Sequence, residues 1–383
     1  MVEVIFWSML CLVVFIYIGY PFISKILASL FGRTVKKDVA FQPRISILIA
    51  AYNEAGCIID TLKNKVSLNY PSDKLEILVV SDESDDGTDE LVNEFAKTSH
   101  IPVTLIRQVP RAGKTSGLNL LSEKASGELL AFSDANSLWD ENALQAMASN
   151  FADQSVGYVT GKMVYVTPEG SMIGDGCSSY MKYENWLREQ ETLIGSVVGV
   201  DGGVDMIRKS LFEKLNADQL PDFVQPLKVV EKGSRVVYEP EALLKEYALN
   251  DATKEYKMRV RVSLRAIWAL SDLRQLLNPL QYGMFSFQLI SHKLLRYMAF
   301  VPLILLFLSN LVLLDKSAFY AICFLGQLGF YLLAWLGSKE NPKFNAIIYK
   351  LPYYFVLLNL ASAQAFIKYL KGEKQVIWKP REG

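Results

Sequence analysis

Between residues 44 and 247 short apolar runs alternate with amphipathic stretches. "ISILIAAYNE" reads as a strand, residues 55–68 as a helix, "LEILVVS" as a strand and residues 88–97 as a helix. "VTLIR", a helix around residues 115–124 and the strand "LLAFSD" follow. Continuous apolar runs of this length, set between amphipathic helices, predict a parallel sheet covered by helices on both faces. Ligands of such sheets bind beyond the carboxyl ends of the strands. At those ends stand Asn53 and Glu54, Ser81 and Asp82, and Ser133 and Asp134. Three neighbouring strands therefore end in oxygen-bearing side chains. In "LLAFSDANS" an apolar run stops at Asp134 and a second polar ligand type, Asn136, follows two places on.

The flanks are different. Residues 4–24 carry no charge and are long enough to cross a bilayer as a helix. They lack the basic start and small-residue cleavage site of a signal peptide, so they read as a retained anchor. Lys25, Arg33, Lys36, Lys37 and Arg44 follow this run and nothing basic precedes it. The positive-inside rule then places the following domain in the cytoplasm, on a multi-pass protein of the plasma membrane. Residues 297–314, 317–338 and 351–367 are three further uncharged runs, and 282–295 reads as an interfacial helix near His292 and Lys293. Three crossings would put Lys368, Lys371, Lys374, Lys379 and Arg381 outside, against the charge rule, so one segment, 351–367, is expected not to cross fully. The expected divisions are an anchor (1–31), a catalytic-type α/β domain (40–250), interfacial helices (251–295), C-terminal transmembrane helices (296–370) and a basic tail (371–383).

Composition narrows the chemistry. The 383 residues have a formal net charge of zero, which gives no basic surplus for nucleic acid. Cys11, Cys57, Cys177 and Cys323 are widely spaced, with no CxxC, so neither a disulfide framework nor a zinc ribbon is indicated. Only His100 and His292 are available, which rules out a histidine-rich metal site. No GxGxxG or GxxxxGK[ST] appears, so the sheet must meet a polar ligand without a glycine-rich phosphate cradle. A divalent cation bridging a diphosphate to a carboxylate would serve, and hard oxygen ligands suit magnesium or manganese. Each residue has a plainer reading too. Asp-x-Asn at a strand end is commonly an Asx-turn or N-cap, and Asp85, Asp86 and Asp89 suit a solvated turn that caps the next helix. Lys114 could be a solvated loop residue, and Asp222 the N-cap of a helix over 223–231. Tyr180, Tyr183 and Trp186, three apart on a helix, suit packing.

As an ordered set, however, "AAYNEAG", "VVSDESDDGTDE", "RAGKTSGLN" and "FSDANS" resemble the family 2 glycosyltransferases of the GT-A fold. "YENWLREQETLIGSVVGVDGGVDMIRKSLF", "LPDFVQPLKVVEKGSRVVYEPEA" and "SHKLLR" are similar to a membrane-bound branch related to the bacterial polysaccharide synthases of the cellulose and hyaluronan type. The resemblance covers roughly residues 40 to 300. It implies an α/β fold: a Rossmann-like GT-A nucleotide-diphospho-sugar transferase domain with N- and C-terminal transmembrane or interfacial helices. It also implies inverting transfer from a nucleotide-sugar, here a UDP-sugar, to a saccharide or lipid-linked acceptor at the bilayer, with Mg2+ or Mn2+ as cofactor.

By that resemblance Glu54 and Asp82 accept hydrogen bonds from the base and ribose of the donor, and Lys114 meets its diphosphate. Asp134, with Asn136, holds the divalent ion. Asp222 is the general base that takes the proton of the acceptor hydroxyl. Arg259 and Arg261 would neutralise diphosphate, and Asp201, Gly202 and Trp186 would face the acceptor. Three departures matter. Asn136 stands where the metal motif commonly has an acid, and Pro221 where relatives often carry a second acid. Met258, Arg261 and Val262 replace the glutamine, arginine and tryptophan of Gln-x-x-Arg-Trp in processive synthases. The synthase-like helices favour exopolysaccharide assembly, whereas the missing tryptophan favours a single-transfer glycolipid enzyme. A non-catalytic membrane scaffold is the rival from another class, and the joint presence of Asp82, Lys114, Asp134 and Asp222 argues against it.

Overall fold

The computed structural model describes residues 1–166, 172–247, 252–339, 342–344 and 346–374. Lys379 and Arg381 of the basic tail and the side chain of Cys177 lie outside the described residues. In chain order the strands are β1 (Ile45–Ala51), β2 (Leu75–Ser81), β3 (Val103–Arg107), β4 (Leu129–Asp134), β5 (Leu138–Trp139), β6 (Val156–Val166), β7 (Asp205–Arg208) and β8 (Arg235–Tyr247). The helices are α1 (Val2–Phe31), α2 (Ile58–Val66), α3 (Thr88–Thr98), α4 (Lys114–Lys124), α5 (Ala143–Ser149), α6 (Met172–Ile194), α7 (Pro221–Glu231), α8 (Ala252–Asp272), α9 (Met284–Tyr297), α10 (Phe300–Val312), α11 (Ala318–Gly337) and α12 (Ile347–Leu370). They form two compact units, an α/β unit (Phe31–Val164 and Arg188–Glu246) and a helical unit (Met1–Leu30, Tyr165–Leu187 and Tyr247–Glu373).

In the α/β unit the eight strands make one sheet in the order β3-β2-β1-β4-β7-β6-β8-β5. Strands β3, β2, β1 and β4 are parallel, with Ile45 opposite both Leu75 and Leu129. All seven positions of β1 are buried, as expected of a strand with a covered sheet on both faces. Leu48, Leu78, Val80, Leu130 and Phe132 share a core with Leu118 and Leu121 of α4 and with Tyr158, Ile207 and Val229. Beyond β4 the expected parallel sheet gives way to a mixed one. Strand β7 runs antiparallel to β4, with Phe132 opposite Asp205, and β6 antiparallel to β7. Helices still separate these strands in sequence, but antiparallel neighbours need no crossover of fixed hand, so strand–helix alternation alone does not fix strand direction here. The helices expected over 55–68, 88–97 and 115–124 are present as α2, α3 and α4, with α2 shorter at both ends.

In the helical unit Val260, Leu264 and Ile267 of α8 pack on Ala361 and Ala365 of α12. Phe6 of α1 packs with Leu306, Leu313 and Tyr320. Among the described residues α1 and α11 are long and apolar enough to cross a membrane, and α9 with α10 would make a third span if the pair, bent by 60°, acts as one. Although α12 has 24 residues, it carries Lys350, Asn359, Gln364 and Lys368 and does not join them.

Candidate active site

The carboxyl ends of β1, β2 and β4 are tied together by side-chain hydrogen bonds. Asn53, in left-handed backbone at φ 53°, donates from Nδ2 to Asp85 Oδ1 at 2.8 Å and accepts from the Asp85 amide at 3.0 Å. Asp86 accepts from the amides of Ala55 (2.9 Å) and Thr88 (3.1 Å). The acidic loop after β2 is therefore a clasp on the loop after β1 as well as the lead into α3. Glu54 sits beside this clasp. Its Oε2 accepts from Cys57 Sγ at 3.0 Å. Burial, reinforced by Asp134 and Asp86, pushes the Glu54 carboxyl above its ordinary value, and burial with Glu54 alongside pushes the Cys57 thiol up to about 12.

Asp82 is the hub of the next loop. Its Oδ1 accepts from Gln108 Nε2 (2.5 Å) and from the amides of Ala112 (2.8 Å) and Gly113 (3.1 Å), and its Oδ2 from Arg111 Nε (3.3 Å). The Arg111 guanidinium lies 3.3 Å from the centre of the Tyr52 ring. This buried carboxylate thus orders the segment that ends in Gly113, at φ 88°, and launches α4 with Lys114 as its first residue.

Lys114 pairs directly with Asp134 at the end of β4. Burial works against the ammonium, but Asp134 and Asp222 hold it above its ordinary value. The turn that follows, through the exposed Asn136, is held from below by Lys65, whose Nζ donates to Ser137 O at 2.6 Å and lies 4.4 Å from the Trp139 ring centre. Burial lowers Lys65 well below its usual value.

The fourth edge is the turn before β7. Asp201 is buried in an ion pair with Arg188 at 2.6 Å and accepts from the Met163 amide at 3.3 Å. That pairing anchors Gly202 and Gly203, at φ 74° and 75°. A Cβ on Gly202 would stand 2.7 Å from Asp222 Oδ2, and one on Gly203 would stand 3.4 Å from Asp134 Oδ2. The two glycines thus fill the space between the two carboxylates. Asp222 lies in the first turn of α7, with Pro221 at the helix start and Leu220 at the cap position. The plainer expectation of Asp222 as N-cap is corrected: a helix that begins one residue earlier places the carboxylate inside the first turn. Lys114, Gly202, Gly203, Asp205 and Asp222 line one small cavity.

Glu54, Asp82, Lys114, Asp134, Asn136, Asp201, Gly202 and Asp222 thus all belong to the α/β unit. Trp186, Arg259 and Arg261 belong to the helical unit, where Arg259 donates to Glu255 (2.8 Å) and to Tyr354 Oη (2.8 Å). Two participants lie outside the sequence expectations. Lys65 reads as an ordinary helix lysine. Asp205 is almost fully buried, with Oδ1 lacking any donor among the described residues. Burial, with Asp222 and Asp201 adding to it and Thr160 and Lys114 opposing, pushes its carboxyl up to about 8. The side-by-side glycines before it are the one sequence signal for a tight approach there.

Among the described residues no three His, Cys, Asp or Glu side chains gather to hold a metal ion by themselves. What the site offers is one half-exposed carboxylate, Asp134, with an exposed amide two residues on. That donor set fits magnesium or manganese, which bind through one or two carboxylates together with phosphate oxygens and water.

Residues 46–215 match the family described as Glycosyl transferase family 2. The chain is 30% identical over 192 residues to "Probable glycosyltransferase YdaM" of Bacillus subtilis, covering 48% of this chain and 46% of that relative. It is 25% identical over 297 residues to poly-beta-1,6-N-acetyl-D-glucosamine synthase of Staphylococcus aureus, covering 73% and 69%. The chain thus spans about half the length of the first relative and about two thirds of the second. Among solved structures, the mannosyltransferase PcManGT from Pyrobaculum calidifontis, in complex with GDP-Man and Mn2+, shares the fold with a TM-score of 0.74 and 21% identity, over 97% of this chain and 100% of that one. Over residues 46–215 the chain is thus similar to the family 2 glycosyltransferases, and its α/β unit has the GT-A fold that the mannosyltransferase shares.

Proposed function

We propose that this domain transfers a sugar, with inversion, from a nucleoside-diphosphate sugar to a saccharide hydroxyl at the cytoplasmic face of the plasma membrane, in the assembly of a cell-surface polysaccharide. The observation that carries the reading is the grouping of Lys114, Asp134 and Asp222 around the Gly202–Gly203 turn. A cation, a half-exposed carboxylate and a second carboxylate at a helix start are what a single in-line displacement requires. The acceptor oxygen attacks the anomeric carbon while the bond from that carbon to the diphosphate oxygen breaks. Asp222 takes the hydroxyl proton, and the nucleoside diphosphate departs against Lys114. Asp134, with Asn136 beside it, would hold Mg2+ or Mn2+ shared with the diphosphate, and such an ion when bound supplies further neutralisation of the leaving group. Glu54 and the loop ordered by Asp82 form the donor side, where the UDP-sugar of the family resemblance would lie. Asp201 acts through the Gly202–Gly203 turn, as its pairing with Arg188 supports. The polysaccharide assignment rests on the likeness to the staphylococcal synthase.

Supplying membranes that contain the full chain with several labelled nucleotide-sugars, with Mn2+, Mg2+ or chelator, tests this. A saccharide product in the metal arms alone is expected. Neither hydrolysis nor transfer of any donor would favour a scaffold that retains the fold without the chemistry.

A further inference from the structure

The helical unit holds a cavity of about 780 Å³ that, among the described residues, is lined by that unit alone. Sites that enclose an organic ligand run to roughly 300–1,000 Å³, so this one is large enough for a ligand rather than a packing defect. Most of its wall is hydrocarbon: Val14 and Ile18 from α1, Leu333 from α11, and Leu351, Phe355 and Leu358 from α12. Two of these helices, α1 and α11, are those apolar enough to cross a membrane.

One part of the wall is different in kind. Arg259, Lys293 and Arg296 line it together with Tyr180, Tyr183 and Tyr354, and among the described residues no carboxylate does. These groups are linked. Arg296 Nη2 donates to Tyr183 Oη at 3.0 Å, the rings of Tyr180 and Tyr354 lie 6.2 Å apart, and Arg259 donates to Tyr354 Oη at 2.8 Å. Behind the wall, Glu184 is shared by Arg296, by His292 at 3.1 Å and by Lys293 at 4.0 Å. A guanidinium has five N–H donors, and among the described residues the buried Nε of Arg296 has no acceptor. Basic side chains with phenolic hydroxyls at the edge of an apolar cleft between helices are the chemistry that receives a phosphate carried on a hydrocarbon tail. A saccharide would leave its hydroxyls unpaired against the apolar walls.

We propose that this cavity binds a lipid with a phosphate headgroup, its phosphate against Arg296, Lys293 and Arg259 and its tail along α1, α11 and α12. The same chemistry is found in a bilayer phospholipid and in an isoprenoid monophosphate. The binding stands apart from sugar transfer and is read without turnover.

Native mass spectrometry of the delipidated full chain in detergent, titrated with phosphatidylglycerol, an isoprenyl monophosphate, phosphate-free diacylglycerol and inorganic phosphate, tests it. At least one of the two phosphate lipids should bind about tenfold or more tightly than diacylglycerol, the effect of a charge-assisted hydrogen bond, and the stronger of the two identifies the source. Arg296→Gln should lose that preference. Because that change leaves Glu184 buried beside fewer cations, Leu358→Trp provides a second variant, which fills the apolar end and should weaken both lipids with the charges intact. Equal binding of diacylglycerol, binding of inorganic phosphate as tight as that of the lipids, or unchanged lipid binding in Leu358→Trp would each overturn the proposal.

Discussion

Lys114, the first residue of α4, is paired with Asp134, the last residue of β4, so a helix start and a strand end meet through opposite charges. With Asp222 also holding the Lys114 ammonium in its charged form, one cation answers to two carboxylates. A diphosphate entering here would compete with Asp134 for Lys114. A divalent ion would release that competition, because Asp134 would then have a partner of its own.

Asp134→Asn follows from this directly. Nucleotide binding that depends on Mn2+ should disappear, and transfer with it, while the protein still purifies folded, because the Asp134 side chain is 41% exposed and stabilises little. Asn136→Ala should change either quantity far less, since an amide is a weak ligand for a hard cation. Wild-type metal dependence in Asp134→Asn, read by calorimetry with and without Mn2+, would remove Asp134 from the metal site.

Asp222→Asn separates binding from chemistry. Shape and hydrogen bonding are kept but no proton can be taken, so transfer should fall by roughly 10²–10⁴-fold with donor affinity within a few-fold. If donor affinity collapses instead, Asp222 belongs to the donor side and the base is elsewhere.

Gly202→Ala tests the turn between the two carboxylates. The new Cβ would have to share space with Asp222 Oδ2 at 2.7 Å, in backbone at φ 74° that costs an L-residue about 1–2 kcal/mol. Asp222 should be displaced, giving a large fall in kcat with donor affinity largely kept. An active Gly202→Ala enzyme would show that Asp222 has freedom the structure denies it.

Strands β2, β3 and β4 coincide with "LEILVVS", "VTLIR" and "LLAFSD" because each is a short apolar run bounded by turn residues, a signal that survives without tertiary information. The same ends placed Glu54, Asp82 and Asp134 at one edge. What lay beyond reading was pairing. Asp82 spends its oxygens on the amides of Ala112 and Gly113, and backbone donors leave no trace in the residue types. Asp201, expected to face the acceptor, is found against Arg188, thirteen residues earlier on α6, a pairing that spacing alone does not announce. Strand β7 has four residues and Asp205 is one of them, so neither periodicity nor composition marks it. Its carboxyl is intelligible only once β4, β6 and α7 are assembled around it.

Asp205 supplies the last prediction, because burying an acid with one oxygen lacking a donor has a definite pH signature. The native carboxyl keeps its proton up to about pH 8, whereas in the unfolded chain it would lose it near 3.8. Between those values the native state binds more protons than the unfolded state, so stability falls as pH rises. This contribution is fully present below about pH 4 and gone by about pH 8. The groups that face Asp205 are Lys114 from α4, Asp222 from α7, Asp201 from the preceding turn and Tyr158 and Thr160 from β6. Asp205→Asn replaces the neutral acid with a neutral amide of the same shape and removes the penalty. It should therefore melt close to the parent at pH 5 and above it at pH 8, by an amount on the order of 2–4 kcal/mol. Thermal melts of both proteins across that range give the answer. A gap that stays flat with pH, or one that closes as pH rises, would mean that Asp205 is already ionised at pH 5 and that Lys114 outweighs its burial.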